Sequence, residues 1–304
     1  MLLFVEQILN GFQLGITLFL MSAGLTLVFG IMQVINLAHG SFYMIGAYVG
    51  ATVASVTESF LLGVIAALAA AALAGMVVEW IILRKLYGRE HLDQVLATFG
   101  LILFFNELTR IIWGKQPLFM DVPPFLSGSI ELLPGLPYPI YRLAVIAVGL
   151  IVALSLWLLF AHTRLGMQIR AGASNRTMVA ALGVNIRLLY TLIFGLGTLL
   201  AGLAGVMAGP ILAVESGMGE SILILTFVVI VIGGIGSIRG AVIGALLVGL
   251  VDTLGRAFLP MLFRLFLPGA YADGAAASLA SMAIYILMAV ILIWKPRGLF
   301  PAHG

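Results

Sequence analysis

Cysteine is absent from this 304-residue chain. That removes disulfides, thiolate nucleophiles and cysteine metal sites, and leaves the redox compartment open. Charge is scarce as well: only 9% of residues are Asp, Glu, Lys or Arg, and no Lys or Arg precedes Arg84. The opening MLLFVEQILN therefore lacks the basic region of a secretory signal, no small-residue cleavage pattern follows it, and the first apolar segment is expected to stay in the mature protein. Catalytic patterns are missing too. GGIGSIRG, residues 233 to 240, lacks the Gly-Lys-Ser/Thr of a phosphate loop, no histidines are paired at metal-binding spacing, and no nucleophile stands beside a base. A non-enzyme without metal or cofactor of its own is expected; if ATP drives this chain, another chain hydrolyses it.

What the sequence does have is apolar length. Hydrophobic residues make up 62% of it, and the mean hydropathy of +1.21 exceeds what a soluble core absorbs. The expected fold is all-α: a polytopic membrane protein with about eight to nine transmembrane segments, some interrupted, in a single domain over 1–304. A formal charge of +3 resembles a nucleic-acid signal, but the basic residues cluster at segment ends as topology determinants, so nucleic acid is discounted.

At roughly twenty residues per span, candidates run over 7–29, 41–56, 60–83, 92–113, 142–160, 188–214, 221–232, 241–258 and 275–294. The second and seventh are short enough to be half-spans. The fourth carries Asp93, Gln94, Thr98, Asn106, Glu107 and Arg110, which predicts a helix facing protein or a watery path more than lipid. Residues 114–141 hold six of the eleven prolines and read as an external loop or irregular cap. Residues 259–274 read as a second external region, and Gly209-Pro210 should end or kink the sixth span. Glu107 with Arg110, and Asp252 with Arg256, are spaced to share a helix face and neutralise each other. Placing Arg84, Lys85, Arg89, Arg164, Arg170, Arg176, Arg187, Arg239, Lys295 and Arg297 inside leaves five basic residues outside. That distribution puts the amino terminus outside and the carboxyl terminus in the cytoplasm.

TRLGMQIRAGASNRTMVAALGV (163–184), with Arg187, contains four arginines and no acid. Its pattern predicts two short helices. Leu165 and Ile169 lie one turn apart, Gly172 interrupts, Ser174 caps the second piece, Met178, Val179 and Leu182 form its apolar face, and Gly183 stops it. Two readings fit: an element that docks into a groove of a soluble partner, or an ordinary cytoplasmic loop of the positive-inside kind.

INLAHGSFYMIGAY (35–48) and VIGGIGSIRGAVIGA (231–245) break apolar runs at corresponding places in the two halves, each with Gly-Ser followed by Gly-Ala. Paired interruptions point to a substrate path, because unwound backbone is tolerated only against protein or water; close helix packing by glycine is the alternative. Candidate path residues are Asn36, His39, Gly40, Ser41 and Tyr43, with Thr98 and Asn106 from the fourth span and Gly233, Gly234, Gly236 and Ser237 from the second interruption. A lone His39 lacks companions for a metal site.

NLAHGSFYMIGAY, TRLGMQIRAGASNRTMVAALGV, GGIGSIRGAVIGA and the terminal KPRGLF, in this order over nearly the whole chain, resemble the LivH-type permeases of branched-chain amino-acid ABC importers. The resemblance implies a multi-pass subunit of the bacterial inner membrane. It would work with a second, related permease, two cytoplasmic ATPases carrying ATP and magnesium, and a periplasmic substrate-binding protein. It also implies that 163–187 couples to the ATPase through Arg164, Gly166, Arg170, Ala171, Gly172, Ala173, Ser174, Asn175, Arg176, Ala180, Leu182 and Gly183. Arg239 departs from the proline common in such permeases. The family includes carriers of urea, short amides and small acids, while an ion-coupled carrier and a passive channel are the rivals outside it. Most acids lie near segment ends, which argues against proton coupling.

Overall fold

Where water is absent, a chain must satisfy its own backbone polar groups, and long apolar runs do this as helices. The computed structural model describes residues 1–301, and among these eleven α-helices and one two-stranded ribbon form. In chain order they are α1 (Leu2–Met32), α2 (His39–Thr57), α3 (Phe60–Ile81), α4 (His91–Trp113), β1 (Ser129–Leu133), β2 (Leu136–Pro139), α5 (Ile140–His162), α6 (Arg164–Ser174), α7 (Arg176–Ala181), α8 (Ile186–Ala208), α9 (Met218–Gly233), α10 (Ile238–Phe263) and α11 (Gly269–Trp294). Seven of them, α1, α3, α4, α5, α8, α10 and α11, are long and apolar enough to cross a membrane. The two short candidates of the sequence become α2 and α9, of 19 and 16 residues.

Three local readings change. The proline-rich stretch is not wholly irregular: β1 and β2 pair antiparallel, with Ser129 opposite Pro139 and Glu131 opposite Pro137. A two-stranded ribbon leaves one edge of each strand unpaired, so a proline there need not remove a ladder bond. The region 259–274 is mostly helical, because α10 continues through Pro260 to Phe263 and α11 begins at Gly269. An ion pair of 2.9 Å between Arg264 and Asp273 spans the break. Finally, α1 begins five residues earlier than the sequence suggests and extends to Met32. Gly209-Pro210 behaves as expected, since α8 ends at Ala208.

The chain forms two compact units. One comprises 1–19, 124–150 and the chain from Leu225 on; the other comprises 20–123 and 151–224. In the first, Gly11 and Gly15 of α1 lie against α10 at Leu250 and Ala245, and α10 packs on α11. In the second, α2, α3 and α8 pack on one another. Small residues permit this: a Cβ at Gly46 would stand 2.4 Å from Gly202 Cα, and one at Gly75 would stand 2.1 Å from the Thr198 hydroxyl. The faces of α3 and α4 invert the pattern of a soluble protein. Ala67, Ala71, Gln94, Thr98 and Thr109 are buried, while Leu61, Leu73, Leu96, Phe99 and Leu103 are exposed, as expected of helices whose outer surface meets lipid.

One buried carboxylate ties the second unit together. Glu79 on α3 is fully buried and pairs with Arg84 at 3.1 Å. It also accepts from the Thr191 hydroxyl of α8 at 2.6 Å and from Tyr87. Arg84 in turn donates to Thr191 at 2.8 Å. Burial first, and then this hydrogen bond, raise the Tyr87 hydroxyl above the usual phenol range, so it serves as a donor. By contrast Glu107 and Arg110, paired at 2.7 Å as their spacing predicts, are largely exposed. Glu79→Leu is expected to lower unfolding stability in detergent by about 1–3 kcal/mol through the stranded donors. Arg110→Ala should cost about 1 kcal/mol or less. Chemical denaturation of the two variants side by side checks the ranking.

Candidate functional site

The first interruption is a short unwound joint. After α1 ends, Gln33 takes a left-handed conformation with φ of 55°, and helix resumes at His39. The open backbone has designated partners: Ile35 donates to Gln94 Oε1 on α4 at 3.3 Å, and Ala38 donates to Asn36 Oδ1 at 3.1 Å. Gln94 is itself fixed by donating to the carbonyl of Leu86 at 3.2 Å. Polar atoms nevertheless remain uncommitted here. Asn36 Nδ2, both ring nitrogens of His39 and the Thr26 hydroxyl are buried without a hydrogen-bond partner. The Met21 carbonyl is a polar neighbour of the His39 ring, but no bond of acceptable distance and angle joins them. Buried polar groups are almost always satisfied, so a cluster of exceptions calls for a physical reason.

Just beyond the joint, α2 and α9 meet through two glycines. A Cβ on Gly40 would stand 2.1 Å from the Gly219 carbonyl oxygen, and one on Gly219 would stand 2.3 Å from that of Gly40. No side chain fits. Beside this contact lies a recess lined by Gly40, Ser41, Asn106, Gly219, Glu220 and apolar side chains, and it is too narrow to admit a water molecule. The Asn106 amide of α4 donates to the Glu220 carboxylate of α9, and one turn along α4 the Arg110 guanidinium donates to the Ser216 hydroxyl at 3.2 Å. Thus α4 is laced by polar bonds to the start of α9 at a closed seam.

The structure therefore gathers Gly40, Ser41 and Asn106 at one recess and places Asn36 and His39 in the adjoining joint. Thr98 and Tyr43 are not lining residues: Thr98 is buried with its hydroxyl bonded to the Gln94 carbonyl at 2.8 Å, and Tyr43 is buried in α2 with its carbonyl against Gly205. Glu220 and Gly219 are additions that the sequence did not single out for the path. The signal available was an acid beside glycine at the start of an unusually short apolar segment.

Gly233, Gly234, Gly236 and Ser237 belong to the other compact unit. Gly234 and Gly236 adopt φ of 106° and 82°, and the Ser237 hydroxyl caps α10 by accepting from Gly240 at 3.1 Å. The joint is closed by the KPRGLF motif. Leu299 donates to the Ile232 carbonyl and Phe300 to that of Gly233, each at 2.9 Å. Two of the four recurring motifs thus bind each other.

The arginine-rich stretch forms two helices, α6 and α7, as predicted, with different punctuation. Thr163 caps α6 by accepting from Gly166 at 3.1 Å, and Asn175, not Ser174, caps α7 by accepting from Met178 at 3.0 Å. Asn has the reach and the extended backbone that the cap needs, whereas Ser174 is still the last residue of α6. Gly172 does not interrupt α6; it is buried within it, facing Leu189 of α8. α7 ends in a Schellman motif, with Val184 donating to Val179 and Gly183, at φ of 86°, donating to Ala180. Asn185 then caps α8. Gly166 is buried because α6 turns tightly on the end of α5, whose Phe160 carbonyl also receives the Arg170 guanidinium. Ile169 and Val179 face inward. Arg164, Ala171, Ser174, Asn175, Arg176, Ala180, Gly183 and Arg187 are exposed, as are the large side chains of Met178 and Leu182; Ala173 is half-buried.

Seven helices long and apolar enough to cross a membrane, with unwound joints beside the two shorter ones, fit a multi-pass membrane protein. The sequence profile of the family described as branched-chain amino acid transport system / permease component matches residues 7–292, and the chain belongs to that family. It is similar to the high-affinity branched-chain amino acid transport system permease protein BraD of Pseudomonas aeruginosa, at 28% identity over 97% of this chain and 95% of BraD. It is also similar to LivH of Salmonella typhimurium, of the same description, at 30% over 85% and 88%. The ribose import permease protein RbsC of Escherichia coli K12 matches at 28% over 77% and 72%. No solved structure matches significantly.

The glycine seam yields a direct test. Gly219→Val is expected to push α2 from α9 and lower the detergent melting temperature, by an amount corresponding to about 1–3 kcal/mol of overpacking. Ser41→Ala, which adds no volume, should leave it nearly unchanged. Thermal unfolding followed by size-exclusion chromatography reads both.

Proposed function

We propose that this chain is the permease subunit of an ATP-driven importer of branched-chain or other hydrophobic amino acids in the bacterial inner membrane. The observation that carries the reading is the α6–α7 pair. Its apolar side chains Met178 and Leu182 are 60% and 77% exposed among exposed arginines, with no acid in the stretch. A basic amphipathic element with an uncovered apolar edge suits a groove on a soluble partner. The names of the BraD and LivH relatives support the substrate class, and the lack of a phosphate loop in this chain is in keeping with ATP and magnesium being held by a separate ATPase.

In this reading the amino terminus is outside, the carboxyl terminus is cytoplasmic, and α2 and α9 add to the seven long spans. Ten basic residues on the inner side against five on the outer support that orientation. Two ATPases press on α6–α7, a second, related permease completes the membrane body, and a periplasmic protein delivers solute. Motion has a physical route through the second unit. Displacing α7 moves Asn185 and α8, and the Glu79–Thr191–Arg84 cluster passes that displacement to α3. The unpartnered atoms of Asn36 and His39 mark a joint that a polar solute would meet when the Gly40–Gly219 seam parts. In this reading access alternates because the Gly40–Gly219 seam parts when the coupling helices shift; its close glycine contact supports a closed resting state.

Leu182→Glu places a charge in the proposed contact without touching the membrane body. Amino-acid uptake should fall by about tenfold or more, equivalent to ~1.4 kcal/mol or more of lost docking, with membrane insertion unchanged. Uptake at the normal rate would remove the coupling role. Because the chain has no cysteine, Ser174→Cys gives a single label site. A membrane-impermeant maleimide should reach it in inside-out vesicles and not in intact cells.

A further inference from the structure

Unfavourable features are concentrated between α1 and α2, in the stretch from Gln33 to His39. Gln33 holds a φ of 55°, a left-handed conformation that a side chain disfavours. Ala38 starts α2 without a side-chain acceptor, whereas Thr163, Asn175, Asn185 and Ser237 each accept from the first turn of the helix they begin. Asn36 commits its Oδ1 to the Ala38 amide and leaves Nδ2 without a partner. The His39 imidazole is fully buried, and neither of its nitrogens is bonded. Its Cε1 lies 3.1 Å from where a Cβ on Gly24 of α1 would stand, and that same point is 2.4 Å from the Gly197 carbonyl oxygen of α8. The ring is thus enclosed where α1, α2 and α8 converge, all within the second compact unit. The next residue in the chain is Gly40, one half of the glycine seam with Gly219. The burden therefore stands directly beside the contact that closes the molecule.

We infer that this joint is a conformational counterweight: the unbonded imidazole of His39 and amide of Asn36 destabilise the closed seam, and water that enters when Gly40 leaves Gly219 gives those atoms partners. A buried polar group without a partner penalises only the state that keeps it dry. Opposing it are the holds on the closed state, namely the glycine contact, the Asn106–Glu220 bond and the Arg110–Ser216 bond. The balance of the two sets how hard the coupling helices must push. The inference rests on the reading that this seam parts during transport, and adds what fixes its threshold. It also makes His39 the reverse of an ordinary packing residue. Removing its polarity should stabilise the closed protein and at the same time make it open less readily.

The permease is purified with its partner permease and ATPases, with Ser41→Cys as the reporter. The chain has no cysteine of its own, and Ser41 is 4% exposed beside a recess too narrow for water, so N-ethylmaleimide reaches the reporter when the seam parts. Adducts on this chain are counted by peptide mass spectrometry without nucleotide. His39→Leu removes both ring nitrogens, and Asn36→Ser removes Nδ2 while keeping an oxygen for the Ala38 amide. Each should raise the melting temperature by about 2 °C or more. Each should also slow labelling by about tenfold, which corresponds to ~1.4 kcal/mol. His39→Gln, which keeps a donor and an acceptor, should label at the parent rate. A lower melting temperature or loss of assembly in both His39→Leu and Asn36→Ser means that these atoms are bonded in the closed state, and overturns the inference. Labelling that is unchanged or faster in whichever of the two assembles overturns it as well. ATP-dependent leucine uptake by the unsubstituted chain is measured separately in vesicles supplied with the binding protein. If uptake is absent the permease reading fails, and the labelling rates still decide the joint.

Discussion

Every departure from helix in this molecule is constrained by the cost of leaving a backbone N–H or C=O without a partner in an apolar medium, several kcal/mol for each. The joint after α1 is held by Gln94 reaching from α4 to the Ile35 amide. The joint after α9 is held by Leu299 and Phe300 donating to Ile232 and Gly233. At the arginine-rich bend, Thr163, Asn175 and Asn185 each take an otherwise open helix-start amide. These breaks are therefore built features with assigned partners, some supplied by polar side chains such as Gln94 and Asn175 and some by backbone amides.

The same constraint explains where polarity is concentrated. On α4 the buried line of Gln94, Thr98 and Thr109 is turned inward, with leucines and phenylalanines outward. Glu79 is tolerable in α3 because Arg84, Thr191 and Tyr87 supply it with donors.

Much of this was legible in the sequence because the strongest signals are periodic or categorical. Apolar length located the long helices, the weak seventh and second segments corresponded to α9 and α2, and Gly209-Pro210 marked the end of α8. The Asp252–Arg256 and Glu107–Arg110 pairs followed from their spacing. What escaped depends on contacts between distant residues. Ser174 and Asn175 are both good caps by type; the choice is made by where α6 ends, since Ser174 is its last residue and Asn175 is the first in extended backbone. Likewise the Gly40–Gly219 approach and the Asn106–Glu220 bond join positions more than a hundred residues apart, and no pattern within either segment announces the other. The hairpin at 129–139 was hidden by its prolines, which forbid a helix and are compatible with a free strand edge.

The clasp between KPRGLF and the end of α9 bears on how the molecule is made. Its donors lie 67 residues downstream of the carbonyls they serve, and chains emerge from the ribosome in sequence order. While α10 and α11 are being synthesised, the carbonyls of Ile232 and Gly233 have no such donors. The glycine turn is thus sealed only after both helices that follow it have been made, so a chain interrupted before Leu299 leaves those two carbonyls without the donors that close the joint.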